Sequence, residues 1–191
     1  MYQQFPDPSI VDKSFQEHFD IPNKTMYDIV HDMALLRPSE EALSFLNARM
    51  SFRALDRAID DCAKGLIQMG FKKGDVVAIC LPNIPETVVL FYAVNRLGGV
   101  SNMIHPLAPA AQVMEIIHET ESRFLCFPEI FMKRFAAHVE EHRPGSPLET
   151  ILVVPMARSG DPLSRMGLYL TKGKKALKRM PKNKHWLLWD E

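Results

Sequence analysis

The chain has 191 residues, of which 47% are hydrophobic and 24% charged, and its formal net charge is zero. This composition is that of an ordinary globular protein, and the charge balance excludes a general attraction to nucleic acid. The three cysteines (Cys62, Cys80 and Cys126) lack paired spacing, no apolar stretch is long enough to span a bilayer, and the opening residues do not resemble a signal peptide. We therefore expect a cytoplasmic protein.

The first 52 residues predict an arm, a helix and a hairpin, in that order. Residues 1–24 are polar and interrupted by prolines, which predicts an extended N-terminal arm. Thr25, with Asp28 three residues later, is typical of a capping box at the start of a helix, and Pro38 is expected to follow its end. The stretch 42–52 predicts a short hairpin. We place the start of an α/β subdomain at residue 25.

The next helix, over about 55–69, has the clearest pattern in the chain. Its apolar residues recur at intervals of four and three, so they form one stripe that should face the core. The residues of this stripe are Leu55, Ile59, Cys62, Leu66 and Met69. Gly70 follows where the C-terminal cap of a helix belongs.

From residue 76 to residue 154, strand patterns alternate with helix patterns. The predicted strands are 76–81, 100–104, 123–127 and 151–154, and the predicted helices are about 85–97, 109–121 and 129–142. Such alternation predicts βαβ units, and hence an α/β fold with a mostly parallel sheet and helices on both faces. The helix at 85–97 is apolar on nearly every side, so we expect it to be buried on most sides. The α/β subdomain is expected to span 25–154.

Beyond residue 154 the regular pattern ends. We predict a loop over 155–166 and a basic helix over 167–181, the two leading to further protein. The run 172–184 contains seven cations and no acid, namely Lys172, Lys174, Lys175, Lys178, Arg179, Lys182 and Lys184. A solvated helix or linker is the favoured interpretation, and peripheral contact with a membrane surface is the alternative. Trp186 and Trp189 are expected to be covered by further protein.

The turn between the strand at 76–81 and the helix at 85–97 is a natural place for a nucleotide in an α/β protein. A phosphate there needs free backbone N–H groups, which glycines usually supply. The turn instead contains Pro82 and Pro85, which lack N–H donors, and the chain has neither a G-x-G-x-x-G nor a P-loop pattern. We interpret the turn as scaffold.

One pattern resembles a metal site. His138, Glu141 and His142 match H-x-x-E-H, in which two imidazoles one helical turn apart share a metal. The helix is expected to end directly afterwards at Pro144, which favours a charged, solvated helix end. His105 and His118 have no partner in the sequence pattern. We assign no catalytic, cofactor-binding or metal-binding residue within this chain.

The order and spacing of five segments resemble the N-terminal part of the adenylate-forming, or AMP-binding, superfamily, and most closely a bacterial fatty-acyl-CoA ligase. The segments are 50–55, similar to the first core motif of that family, then 65–70, 73–79 and 81–86, and finally 93–106, similar to its second core motif. The helix and strand patterns over 109–127 also match. Three residues depart from the family pattern: Gly99 stands where alanine is common, His105 where asparagine is usual, and Ala108 where threonine usually caps a helix.

The resemblance implies an incomplete portion of the large N-terminal domain of the adenylate-forming fold. The family's phosphate loop, its ribose-binding aspartate and its catalytic lysine do not occur within residues 1–191. The parent protein would convert a carboxylate, in the closest case a fatty acid, with ATP and Mg²⁺ to an acyl-adenylate and then to a thioester of coenzyme A. The fragment alone would bind none of these cofactors and would be inactive, and its partner would be the rest of its own chain.

Two alternatives remain open. The chain could be a stand-alone binding or interaction module that kept the scaffold and lost the chemistry. Alternatively, it could be a metallohydrolase that uses His138 and His142.

Overall fold

The computed structural model describes residues 23–156 and 174–189. Residues 1–22 of the predicted arm at 1–24 lie outside these residues, as does most of the predicted loop and basic helix at 155–181. The first helix, α1, is Met26–Leu36, and Thr25 caps it as predicted. The Thr25 hydroxyl accepts a hydrogen bond from the backbone N–H of Asp28, and the Asp28 carboxylate accepts one from the backbone N–H of Thr25, at 3.1 and 2.7 Å.

The predicted hairpin and the long amphipathic helix are confirmed. Strands β1 (Glu41–Phe45) and β2 (Ala48–Ser51) pair antiparallel. Helix α2 is Phe52–Gln68, and the hydroxyl of Ser51 caps its first turn by accepting from the backbone N–H of Ala54. Along the predicted stripe, Leu55, Ile59 and Leu66 are buried, whereas Cys62 and Met69 are half-buried.

The core of the fold is a five-stranded parallel sheet in the order β4-β3-β5-β6-β7. Its strands are β3 (Val76–Ile79), β4 (Val100–Met103), β5 (Phe124–Pro128), β6 (Thr150–Val154) and β7 (Trp186–Leu188). Its principal helices are α3 (Pro85–Arg96), α4 (Ala110–Glu119) and α5 (Met132–His142). Side chains of β5 alternate between the two faces, so Cys126 packs with α1, α2 and α3 while Phe127 packs with α4 and α5. The predicted α/β class with helices on both faces is confirmed.

Helix α3 is buried on most sides, as its composition predicts. Every residue of α3 except Arg96 is buried or half-buried. Two predicted boundaries differ from the observed ones. Pro109 precedes α4 as its N-cap instead of lying in its first turn, and the predicted helix at 129–142 begins with a separate 3₁₀ turn over Glu129–Phe131.

The fifth strand, β7, is absent from the sequence prediction. It pairs parallel with β6, with Ile151 opposite Trp186. The indole N–H of Trp186 donates to the Glu140 carboxylate at 2.6 Å, and its ring packs edge-on against Phe127 with the centroids 5.9 Å apart. The expectation that further protein covers this tryptophan is therefore wrong, since Trp186 is only 3% exposed within this fold. Three residues are too few to show the alternation by which a strand is recognised in a sequence.

The C-terminal helix within the described residues, α6, is Lys174–Leu177, so it ends four residues before the predicted end of the basic helix, and the predicted part at 167–173 lies outside the described residues. Leu177 and Met180 pack against the core on the α4 and α5 side of the sheet. Lys178 and Arg179, which follow α6, are exposed. Across the residues that the structure describes, no helix combines the length and the apolar character needed to cross a membrane.

Candidate functional site

The turn that joins β3 to α3 has the geometry of scaffold. The backbone N–H of Ile84 donates to the carbonyl of Pro82 at 2.8 Å, and that of Thr87 donates to the carbonyl of Ile84 at 3.0 Å. The Thr87 hydroxyl donates to the Pro82 carbonyl at 2.6 Å, and the side chain of Ile84 is 2% exposed. Since these donors are used within the turn and Pro85 has none, these residues do not fit the phosphates of ATP.

A groove of about 550 Å³ lies on the face of the sheet that α2 and α3 cover. Residues of α2 and α3 form one side of the groove, and residues of β6 and β7 line the other side. The groove is lined mainly by apolar side chains, among them Cys62, Leu66, Val89, Leu152, Leu187 and Trp189.

The thiols near this groove and inside the sheet are not activated nucleophiles. Burial raises the pKa of Cys62 to about 12. Burial also raises the pKa of Cys80 to about 11 and raises that of Cys126 well above its ordinary value. A thiol attacks as its thiolate, so these groups are neutral and unreactive near pH 7. The groove can accept apolar surface, but its thiol does no chemistry.

Charged side chains join the amino ends of three adjacent strands. The Arg123 guanidinium lies 2.5 Å from the Asp75 carboxylate and donates two hydrogen bonds to Glu149, at 2.7 and 3.1 Å. These hydrogen bonds raise the pKa of Arg123, and the bonds from Arg123 lower the pKa of Glu149. The cluster lies at the edge opposite to the one where open α/β sheets bind ligands, so its role is structural.

A buried carboxylate, Glu129, lies at the carboxyl end of β5. Glu129 is 0% exposed. Its Oε2 accepts a hydrogen bond from the backbone N–H of Met156 at 2.8 Å, whereas its Oε1 has no hydrogen-bond partner among the described residues. Burial raises its pKa, which the hydrogen bond from Met156 partly offsets. Glu129 is not among the candidate residues expected from the sequence, although an acid directly after a wholly apolar strand was a signal for it. Through its bond to Met156, Glu129 fixes the position of the chain just after β6 ends.

The structure brings together the three residues of the H-x-x-E-H pattern. The ligand atoms of His138, Glu141 and His142 all lie within 4.8 Å of one another at the end of α5. His105 and His118 lie apart from this cluster: Nδ1 of His105 accepts the backbone N–H of Leu107 at 3.2 Å, and His118 is exposed at the end of α4.

Comparisons with known proteins agree with the resemblance described above. The Long-chain-fatty-acid--CoA ligase of Bacillus subtilis is 37% identical over 87 residues, which cover 46% of this chain and 16% of that protein. Nonribosomal peptide synthetase 8 of Aspergillus fumigatus is 25% identical over 112 residues, covering 59% of this chain and 1% of that protein. Among solved structures, Coronafacic Acid Ligase from Pectobacterium brasiliense superposes with a TM-score of 0.61 at 28% identity, covering 68% of this chain and 25% of that one.

The chain thus spans a quarter or less of the length of these relatives. A family model described as AMP-binding enzyme matches residues 31–184, which is more than half of the chain, and the chain therefore belongs to the AMP-binding enzyme family.

Proposed function

We propose that this chain is an N-terminal portion of an acyl-CoA ligase. The parent protein would use ATP and Mg²⁺ to convert a carboxylate to an acyl-adenylate and would then transfer the acyl group to the thiol of coenzyme A. The observation that carries this proposal is the match to the Bacillus subtilis ligase, which is 37% identical over 87 residues. That match also supports a fatty acid as the carboxylate.

In this proposal the 191 residues supply fold and no reaction step. The β3–α3 turn does not fit ATP, because its backbone donors are already bonded within the turn. No step of the reaction is assigned to the residues of this chain, and the phosphate-binding and catalytic residues would lie elsewhere in the parent. The chain's partner would be the rest of that parent.

A second candidate function is a stand-alone binding module. The burial of Trp186 within this fold favours it, since the sheet covers its own C-terminal strand without further protein. In that case the apolar groove would be the binding surface and no reaction would follow.

We also propose that the protein works in a reducing cytoplasm. Its three cysteines are free, and two of them are buried inside the sheet. Contact of the basic run with a membrane would be electrostatic, because its two large apolar residues, Leu177 and Met180, pack against the core.

The test compares the 191-residue chain with the product of its complete reading frame. Each is incubated with ATP, Mg²⁺, coenzyme A and either a fatty acid or a mixture of amino acids, and pyrophosphate release and acyl-CoA formation are measured. We expect the complete product to release pyrophosphate with the fatty acid and to form acyl-CoA, while the 191-residue chain does neither.

Three results would contradict the proposal. Pyrophosphate release with amino acids alone would identify an adenylation domain of the peptide-synthetase kind. Turnover by the 191-residue chain would place the chemistry within it. A reading frame that stops after Glu191 would favour the binding module.

A further inference from the structure

The end of α5 carries three metal-binding side chains that the proposed function does not use. His138 is half-buried, whereas Glu141 and His142 are exposed, so solvent ions can reach all three. Spacings of three and four residues place them on one face of the helix. The two imidazole rings have centroids 4.0 Å apart.

The hydrogen bonding of His142 leaves the correct nitrogen free to bind a metal. Nδ1 of His142 lies 2.9 Å from the backbone carbonyl of His138. A carbonyl only accepts hydrogen bonds, so Nδ1 carries the proton and Nε2 of the neutral ring has a free lone pair. Metal-bound histidines usually have their second nitrogen held in this way, by a carbonyl or a carboxylate.

The charges around the cluster favour a cation. The cluster lies at the C-terminal end of α5, where the partial charge of the helix is negative. Glu141 makes no hydrogen bond or ion pair with any other residue that the structure describes, whereas the nearby Glu140 accepts the indole N–H of Trp186 at 2.6 Å and lies 3.7 Å from Nε of Arg143. The charge of Glu141 therefore remains available to a metal.

We propose that His138, Glu141 and His142 bind one Zn²⁺ ion. Two imidazole nitrogens and one carboxylate oxygen are ligands that zinc prefers, and water would complete the tetrahedron. Zinc bonds of about 2.0–2.1 Å require ligand atoms about 3.4 Å apart. Rotation of these side chains, two of which are exposed, would shorten the observed separations of up to 4.8 Å to this value. The ion would fix the last turn of α5, just before the connection to β6.

Calorimetric titration of the 191-residue chain with ZnCl₂ tests the site. We expect one equivalent of zinc to bind, with affinity reduced more than about tenfold in His138→Gln and in His142→Gln and reduced less in Glu141→Gln. The matched control His118→Gln, which removes an exposed histidine from α4, should bind like the wild type. Zinc should raise the thermal midpoint of the wild type and leave that of the double variant His138→Gln/His142→Gln unchanged.

The double variant keeps all three cysteines, so zinc binding that persists in it comes from other groups and overturns the proposal. Absence of saturable binding by the wild type up to about 1 mM zinc also overturns it. X-ray absorption of the zinc-loaded wild type does not depend on any variant folding. Two imidazole ligands and no sulfur support the site, and a sulfur ligand refutes it.

Discussion

Replacing Gly99 by alanine should destabilise the chain, because the added methyl group has no room. Gly99 lies between α3 and β4, and a Cβ there would lie 2.3 Å from Cζ of Phe71 and 2.9 Å from the backbone oxygen of Asp75. Carbon atoms pack at about 3.5–4.0 Å, so the ring would have to move by more than about 1 Å. The Phe71 ring is 6% exposed and packs against Phe124 with the centroids 5.4 Å apart, which leaves little space for that movement.

The size of the effect follows from these contacts. Overpacking a core costs about 1–3 kcal/mol, whereas alanine recovers about 0.4–1 kcal/mol by restricting the unfolded chain. The net loss in the free energy of unfolding should be about 1–2 kcal/mol, and each kcal/mol lowers the melting temperature by about 2–4 °C in a chain of this size. The backbone of Gly99 is outside the left-handed region, so the cost is steric.

Urea unfolding followed by far-UV circular dichroism measures this loss. The matched control is Gly65→Ala within α2, where a Cβ meets nothing within 4 Å. This control should be stabilised by about 0.5–1 kcal/mol. Adding Phe71→Leu to Gly99→Ala should make the two effects non-additive by at least about 0.5 kcal/mol, because leucine makes room for the methyl group.

Two outcomes would refute this reasoning. One is a Gly99→Ala variant within about 0.3 kcal/mol of the wild type, and the other is strictly additive effects of the two substitutions. The expected coupling would also explain why glycine stands at residue 99, where alanine is common in the family, because Phe71 fills the space that the alanine methyl group would need.

Three further substitutions test other parts of the fold by urea unfolding. Arg123→Met should cost about 1–3 kcal/mol, because the carboxylate of Asp75, which is 13% exposed, would lose its ion-pair partner and keep only the backbone N–H of Lys72, and a loss below about 0.5 kcal/mol would contradict this. Glu129→Gln should become more stable relative to the wild type as the pH rises from 4 to 7. Because burial raises the pKa of Glu129, its contribution to stability is complete below its unfolded pKa and is lost as the pH rises through its folded pKa. A difference in unfolding free energy between the variant and the wild type that does not change with pH would refute this reasoning. Trp186→Phe should cost about 1–2 kcal/mol by removing the N–H that donates to Glu140, and an unchanged unfolding midpoint would show that β7 does not depend on this bond.

The elements that the sequence predicted well are those with a long, repeated pattern. The stripe that begins at Leu55 extends over four turns of α2, and the capping box at Thr25 uses contacts only three residues apart. Such features depend on local geometry, so they can be recognised without the rest of the fold. The prolines of the β3–α3 turn likewise predicted a turn with few free backbone N–H donors, because the loss of a donor is a property of proline itself.

The sequence alone determined the alternation of strands and helices, the parallel character of the sheet and the composition of its helices, because these follow from periodicity and short-range chemistry. Only the tertiary structure decided that the segment beginning at Trp186 forms the fifth strand of the sheet and that Glu129 is buried against the residues that follow β6. It also decided that a groove remains over β6 and β7. These features depend on contacts between residues distant in the chain, and no local pattern records which residues will meet.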